Sequence, residues 1–199
     1  MVGRILKRIY LKVIHSRLNK NAILNGKNIG IGKYSSVSLI DGAKKSQVII
    51  NDHVDMLGSI TVADNGFVEM QEYSKIGAGT KILCVNKVIV GRYTAIGENT
   101  VIVDNNNHPV SPAFRKEMRL TPHGSDMRQW KHSVSSPIVI GENTWIGSNV
   151  RICKGVKIGD NSVVAACSVI TKDVPANSIA AGNPAKIVKN NIDEINDAM

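Results

Sequence analysis

The strongest constraint on the fold is a repeat of six residues that runs through most of the chain. From Ile140 the sequence divides into the blocks IGENTW, IGSNVR, ICKGVK, IGDNSV, VAACSV and ITKDVP. Every block opens with Ile or Val, small or turn-forming residues follow, and Thr, Val or Ser holds the fifth place. Blocks of the same kind start in shifted phase at Ile50, Ile76 and Val90. This recurrence exceeds chance and indicates a repeat architecture.

A period of six matches neither the helical period of 3.6 residues nor the two-residue alternation of a hairpin strand. It is typical of a short strand followed by a turn, with the aliphatic residue inward and Gly, Asn or Asp at the bend. If three blocks close one triangular coil, equivalent residues stack at the strand spacing of about 4.8 Å. Such a narrow core suits Ile and Val, in agreement with 4% aromatic residues. About 120 repeat-like residues at roughly 18 per coil predict about seven coils.

Over residues 25–189 the chain resembles the hexapeptide-repeat acyltransferases. The resemblance is most specific in the run IGENTWIGSNVRICKGVKIGDNSVVAACSVITKDVPANSIAAGNPAKIVK and in the motif NNNHP. It is strongest toward the branch that O-acetylates sugars, which includes galactoside and maltose acetyltransferases. It implies an all-β solenoid, a left-handed parallel β-helix with an extruded loop, an N-terminal amphipathic helix and a short C-terminal helix. The left hand comes from the resemblance alone, because the general rule for parallel crossovers predicts a right hand.

The chain is expected to have three parts: a basic helix at 1–22, the β-helix at 23–180 with an active-site loop at 104–136, and a C-terminal loop and helix at 181–199. Ile5, Ile9 and Val13 recur at helical spacing in a segment that has six Lys or Arg and no acid through residue 20. Its apolar face is expected to pack on the body of the protein, with contact to an anionic membrane surface as the alternative. The net charge of +9 comes without a nucleic-acid-binding motif, so no nucleic acid is expected.

The three cysteines have neither a CxxC pair nor zinc-like spacing, which indicates reduced thiols in a cytoplasmic protein. Cys153 and Cys167 fall at repeat positions where small residues serve packing, so they are expected to be inert. No apolar run approaches the roughly 20 residues that a membrane span needs. The location expected is therefore the cytoplasm, with the helix as a candidate contact to the inner face of the membrane. No metal is expected.

The repeat stops between Val103 and Pro137, a gap that is typical of a functional loop rather than of a simple connector. Its first part, VDNNNHPVSPAFRK, contains His108 before a proline. An imidazole with an ordinary pKa of about 6.5 can take the proton of a hydroxyl as the oxygen attacks a thioester. The resemblance implies this role of general base, because relatives carry their catalytic histidine in such a loop before a proline. Whether the later residues His123, Trp130 and His132 assist stays open.

The resemblance also implies acetyl-CoA as co-substrate, direct transfer of the acetyl group, and a homotrimer with its sites between subunits. Relatives hold the thiol end beside a tryptophan, the pantetheine arm by backbone groups, and the nucleotide phosphates by cations. The matching residues here are, in that order, Trp145, then Ser148, Ala166 and Thr171, then Lys186 and Lys189. A backbone N–H would stabilise the oxyanion, and the sequence does not identify which one.

The acceptor is expected to be a saccharide of a cell-surface or capsular polysaccharide or its precursor. Short amides and carboxylates usually bind sugar hydroxyls. The candidate acceptor-binding residues are Asn86, Asp104, Asn106 and Arg115. The basic residues of the loop leave two interpretations open, namely recognition of an anionic saccharide or a lipid-linked diphosphate sugar, and solvated surface charge.

Three other functions stay open. An N-acetyltransferase of an amino-sugar nucleotide would share these features. A γ-class carbonic anhydrase shares the prism but needs three histidines around zinc, and the spacing of His108, His123 and His132 differs from that pattern. A scaffold without catalysis has no use for the His-Pro loop or for Lys186 and Lys189. Zinc content and turnover of acetyl-CoA distinguish the three.

Overall fold

Three parallel β-sheets form the walls of a prism, as the six-residue repeat predicts. A computed structural model describes residues 2–195, without the side chains of residues 2–9 and 11. The strands of sheet 1 are β1 (Ile23–Asn25), β4 (Val48–Asn51), β7 (Phe67–Met70), β10 (Lys87–Val90), β13 (Ile138–Ile140) and β16 (Lys157–Ile158). The strands of sheet 2 are β2 (Gly30–Ile31), β5 (Asp55–Met56), β8 (Lys75–Ile76), β11 (Ala95–Ile96), β14 (Trp145–Ile146), β17 (Val163–Val164), β19 (Ile179–Gly182) and β20 (Ala185–Lys189). The strands of sheet 3 are β3 (Ser36–Ile40), β6 (Ser59–Ala63), β9 (Lys81–Cys84), β12 (Val101–Val103), β15 (Arg151–Ile152) and β18 (Val169–Ile170).

Consecutive strands pass from sheet 1 to sheet 2 to sheet 3 and then begin the next coil. Six coils are complete, and a seventh is formed in part by the bridge from Val174 to Ile158 and by the pairing of β19 with β17. The fold is the left-handed parallel β-helix expected from the sequence. The prediction of about seven coils is confirmed, with the last coil incomplete.

Aliphatic ladders fill the prism. On sheet 2 the register places Met56, Ile76, Ile96, Ile146 and Val164 directly above one another. Each of these side chains is at most 2% exposed. Burial of one such side chain contributes roughly 1.5–3 kcal/mol, so the repeated Ile or Val of the hexads supplies the core.

The corners of the prism use glycine and asparagine for different reasons. A Cβ at Gly147 would lie 2.5 Å from the backbone nitrogen of Ala166 in the next coil, so a larger residue would push the coils apart. At another corner, Asn143, Asn161 and Asn177 have φ values of 53°, 57° and 54°, in the left-handed region that Asn tolerates. Their side-chain amides form a ladder of hydrogen bonds of 3.0 Å each.

The coils change length along the prism. Val48, Val68 and Val88 pair in register, so the second and third coils are 20 residues long, whereas the first, from Ile23 to its partner Ile49, has 26. Ile140 pairs with Ile158, so the later coil is 18 residues long. The shifted phase of the early blocks therefore reflects a longer coil that keeps the same stacking.

Helix α1 (Val2–Asn21) covers the first coil with the C-terminal part of its apolar face. Ile14, Leu18 and Ala22 join the hydrophobic core and are at most 6% exposed. Tyr10 and Val13 are exposed at 45% and 44%. The expectation that the helix packs on the body of the protein is met from residue 14 onward. Among residues 2–195, no helix combines the length and apolar character of a membrane span.

The C-terminal end differs from the expected loop and helix. β20 turns back after Asn183 and Pro184 and pairs antiparallel with β19. Only the 3-10 turn Ile192–Glu194 follows among the described residues, and residues 196–199 lie outside them. The hairpin covers the last edge of sheet 2, where unpaired backbone groups would otherwise face solvent. Up to residue 195, a strand and a 3-10 turn therefore replace the loop and helix predicted at 181–199.

Candidate functional site

The interruption of the repeat is a long loop that leaves sheet 3 after β12 and returns at β13. Asn105 and Ser135 form an antiparallel bridge at its stem, and the backbone N–H of Ser136 donates to the carbonyl of Asp104 at 2.9 Å. The loop contains helix α2 (Pro112–Leu120) and the 3-10 turns Asp126–Arg128 and Trp130–His132. The loop, predicted at 104–136, is thus a folded element with two paired ends.

Asp104 anchors the start of this loop. Its side chain is fully buried, and its carboxylate accepts hydrogen bonds from the backbone N–H groups of Val85 at 3.0 Å and Asn86 at 2.8 Å. The amide of Asn105 donates to the same carboxylate at 3.1 Å. These bonds join the loop to the preceding coil. The expectation that Asp104 contacts the acceptor is not met in this chain, because both carboxylate oxygens are occupied inside the protein.

A series of hydrogen bonds fixes the backbone between Asp104 and His108. The side-chain oxygen of Asn105 accepts from the backbone N–H of Asn107 at 2.8 Å, and Asn107 takes the left-handed φ of 60°. The backbone N–H of Asn106 donates to Val134 at 3.1 Å. Pro109 is buried while His108 is exposed. The imidazole is therefore presented to solvent from a backbone that is held on both sides.

His108 lies in an open cleft of about 430 Å³ between the loop and sheet 3, which we call the base cleft. The residues that line it are Val103, Asn105, Asn106, His108, Pro109, Val110, Arg115, Arg151, Cys153 and Lys154. Three residues predicted for the site, His108, Asn106 and Arg115, come together here. Asn86 does not line the cleft, and its amide donates to the hydroxyl of Ser135 at 3.3 Å.

Among the lining residues that the sequence prediction missed, three carry charged or thiol side chains, namely Arg151, Cys153 and Lys154. Arg151 and Cys153 flank the inward Ile152 on sheet 3, so both point outward below the loop. Alternation along the strand was the signal that could have placed them outside the core. Cys153, expected to be inert at a packing position, is half-buried and lines the cleft. Cys84 is the buried thiol, and burial together with the Asp104 carboxylate raises its pKa.

The far half of the loop is braced within itself. Arg128 donates to the backbone carbonyl of Thr121 at 2.8 Å, and Asp126 pairs with both Lys131 and His132. Hydrogen bonds from these two side chains hold the pKa of Asp126 below its usual range. The far half of the loop is therefore a fixed support for the half that carries His108. None of its described residues lines the base cleft.

The residues predicted for the co-substrate lie along the C-terminal coils. Ser148 and Ala166 neighbour each other at one corner, where the backbone N–H of Cys167 donates to Ser148 at 2.9 Å. Trp145 stands on sheet 2 with 64% of its surface exposed. Lys189 lies on the same sheet, where it pairs with Ile179.

A second cleft of about 350 Å³, which we call the terminal cleft, is lined by both Thr171 and Lys186. The backbone N–H of Cys153 donates to Ile170 at 3.0 Å, so Thr171 lies one coil beyond Cys153 on sheet 3. One strand spacing, about 4.8 Å, therefore separates residues of the base cleft from residues of the terminal cleft. The two clefts adjoin on one side of the prism.

Across residues 2–195, no three side chains of His, Cys, Asp or Glu are grouped so that they could hold a metal ion. His132 is paired with Asp126, and only His108 lines the base cleft. The side chains available for chemistry in the cleft are one imidazole and the Cys153 thiol, among cationic and amide groups.

Known proteins resemble this chain in sequence and fold. Residues 137–172 match the family described as Bacterial transferase hexapeptide (six repeats). The galactoside O-acetyltransferase of Escherichia coli (strain K12) is 39% identical over 148 residues, which cover 69% of this chain and 64% of that protein. This chain thus spans just under two thirds of that enzyme. YJL218W of Saccharomyces cerevisiae, provisionally named an acetyltransferase, is 36% identical over 167 residues, which cover 81% of this chain and 78% of that protein.

A solved structure shows the same fold. The hexapeptide-repeat acetyltransferase VCA0836 of Vibrio cholerae, complexed with acetyl-CoA, superposes with a TM-score of 0.60 at 21% identity. The match covers 92% of this chain and 84% of that one. At this level of identity the likeness concerns the β-helix itself.

Proposed function

The chain belongs to the bacterial transferase hexapeptide family, and from that premise we propose that it is an acetyl-CoA-dependent O-acetyltransferase. Its acceptor is a sugar hydroxyl in a cell-surface or capsular polysaccharide or its precursor. The relative named galactoside O-acetyltransferase supports acetyl transfer to a sugar oxygen. The observation that carries the proposal is the exposed His108, which a folded and anchored loop holds in a cleft on sheet 3.

His108 acts as general base in this proposal. A hydroxyl is a weak nucleophile at neutral pH, and an imidazole within hydrogen-bond reach can accept its proton as the oxygen forms a bond to the acetyl carbon. His108 then returns that proton to the departing sulfur. When bound, acetyl-CoA supplies an acetyl group that is already activated as a thioester. Direct transfer follows, because the protein needs no nucleophile of its own.

Acetyl-CoA would bind beside the base cleft in this proposal. Thr171 and Lys186 line the terminal cleft one coil away, and Lys186 and Lys189 are both exposed. Cations at this position would attract nucleotide phosphates. Ser148 and Ala166 offer backbone groups at the neighbouring corner, and the exposed face of Trp145 is free to contact the thiol end.

The proposed assembly is a homotrimer in the cytoplasm. A prism with flat walls and one projecting loop does not enclose a substrate, and closed rotational symmetry is the usual way to complete such a site. Membrane contact through α1 is proposed only for its outer surface, where Lys12, Arg17 and Lys20 are exposed while Leu18 is held in the core.

His108→Ala tests the function. Purified protein would be incubated with acetyl-CoA and a panel of sugars, sugar nucleotides and polysaccharides, with released thiol and product measured. Loss of the general base should lower kcat by roughly 10²–10⁴ on the accepted substrate, while the KM for acetyl-CoA changes little. His123→Ala is the matched control, because His123 is an exposed histidine of the same loop that does not line the base cleft.

Two results would contradict the proposal. A His108→Ala enzyme with normal kcat would remove His108 from the chemistry. A product whose acetyl group resists hydroxylamine would be an amide and would assign the protein to N-acetylation. Lys189→Ala serves as a second control, since it should raise the KM for acetyl-CoA and leave kcat nearly unchanged.

A further inference from the structure

The base cleft is strongly cationic. Arg115 from α2, Arg151 from β15 and Lys154 from the turn after β15 line it together with His108. No acidic side chain occurs among the described residues that line the cleft. Asp104, at the base of the loop, is fully buried with its carboxylate bonded to the backbone of the preceding coil. The cleft therefore offers three positive charges to a ligand.

The fold does not use these cations as ionic partners. None of the three takes part in the ion pairs found within residues 2–195. Arg151 is exposed, and its neighbours in the strands on either side are Val101 and Val169, which provide no counter-charge. In the far half of the loop the situation is different, since Arg128 is bonded to backbone carbonyls and Lys131 is paired with an aspartate.

The hydrogen bonds within the described residues leave most N–H donors of these cations free. Arg115 donates to the carbonyl of Val110 through one nitrogen, which fixes its side chain near the loop. A guanidinium has five N–H donors, so several stay available to a ligand. A planar guanidinium matches the two oxygens of a carboxylate or a phosphate. An ammonium such as that of Lys154 adds charge without directional demand.

We propose that the acceptor is an anionic saccharide whose carboxylate or phosphate group is bound by Arg151 and Lys154, with Arg115 as a third charge. The inference rests on the proposed function, because it assigns the substrate class of the same site. The anionic group would bind among the cations while the reacting hydroxyl contacts His108. A neutral sugar would leave the three charges unused, so selectivity for the anionic form follows.

Matched acceptors test this assignment. Methyl glucoside, methyl glucuronide and methyl glucoside 6-phosphate, with the equivalent galactose set, would be assayed with wild type and with the double variant Arg151→Gln/Lys154→Gln. An anionic member should have a kcat/KM at least roughly 10-fold above its neutral counterpart. The double variant should lower that value by roughly 10- to 100-fold through KM and change the neutral sugar by less than about 3-fold. Lys116→Gln, beside Arg115 on α2 but outside the cleft lining, should behave as wild type.

Each outcome decides the question. Preference for the uronide or for the phosphate supports the proposal and identifies the anionic group. Equal losses on charged and neutral sugars, or a raised KM for acetyl-CoA in the double variant, would overturn it. Saturation-transfer NMR of the same sugars without acetyl-CoA measures acceptor binding alone. Together with the turnover assays it distinguishes the proposed acetyltransferase function from the proposed anionic acceptor. Anion-selective binding without turnover would overturn the proposed function alone. Turnover that favours neutral sugars would overturn this inference alone, and a failure of every sugar, neutral or anionic, to bind or to be acetylated would overturn both.

Discussion

Replacing Asp104 with Asn removes half of the acceptor capacity at the anchor of the His108 loop. The carboxylate oxygens accept from Val85, Asn86 and Asn105 at 2.8–3.2 Å. In either orientation an Asn side chain places an NH₂ group against one of these N–H donors. One buried donor is then left without a partner, at about 1–3 kcal/mol, and a charge-assisted bond is lost as well. We expect the free energy of unfolding to fall by roughly 2–5 kcal/mol.

Two measurements check this expectation. Urea denaturation followed by circular dichroism gives the stability, and hydrogen exchange of the Val85 and Asn86 amides reports the anchor directly. Glu117→Gln, an exposed acid on α2, is the control and should leave both values unchanged. We also expect kcat to fall more than the affinity for acetyl-CoA, because the loop positions His108. Unchanged unfolding and unchanged exchange of both amides in Asp104→Asn would refute the role of Asp104 as the anchor.

Two further predictions concern the packing of helix α1 and the oligomeric state. Leu18→Ala should lower the free energy of unfolding by about 2–5 kcal/mol, because the side chain is 1% exposed, whereas Val13→Ala on the same helix should change it by less than about 0.5 kcal/mol. Equal effects in urea titrations would show that α1 does not pack as described. Analytical ultracentrifugation should give three times the mass of one 21.5 kDa chain, and a fully active monomer would exclude the trimer.

The repeated core could be predicted because each hexad encodes its own geometry. Ile140, Ile146, Ile152 and Ile158 open successive blocks in the sequence, and all four are buried at the inward positions of consecutive strands. The coil count followed from the same spacing. The C-terminal hairpin could not be read this way, since the pairing of Ala185–Lys189 with β19 depends on an open sheet edge that exists only once the coils are stacked.

Only part of the site could be predicted, because a local sequence pattern marks His108 but not the residues that folding brings near it. His108 could be singled out because it interrupts the repeat beside a proline, and the structure places it in a cleft. The role of Asp104 could not, because its partners Val85 and Asn86 are neighbours only across a coil whose length differs from 18 residues. Arg151 entered the cleft through the folding back of the loop, which no local pattern encodes.

The separation of inward core residues from outward surface residues explains how such a site can change its acceptor specificity. An outward residue of a coil, such as Arg151, is exposed and does not belong to the aliphatic core, while the adjacent Ile152 is fully buried. Exchange of the outward residue therefore costs the fold little, and exchange of the inward one costs a cavity. The loop anchor fixes His108 above this variable surface. A change of acceptor can thus arise on the outer face of one coil while the base, the core and the terminal cleft stay as they are.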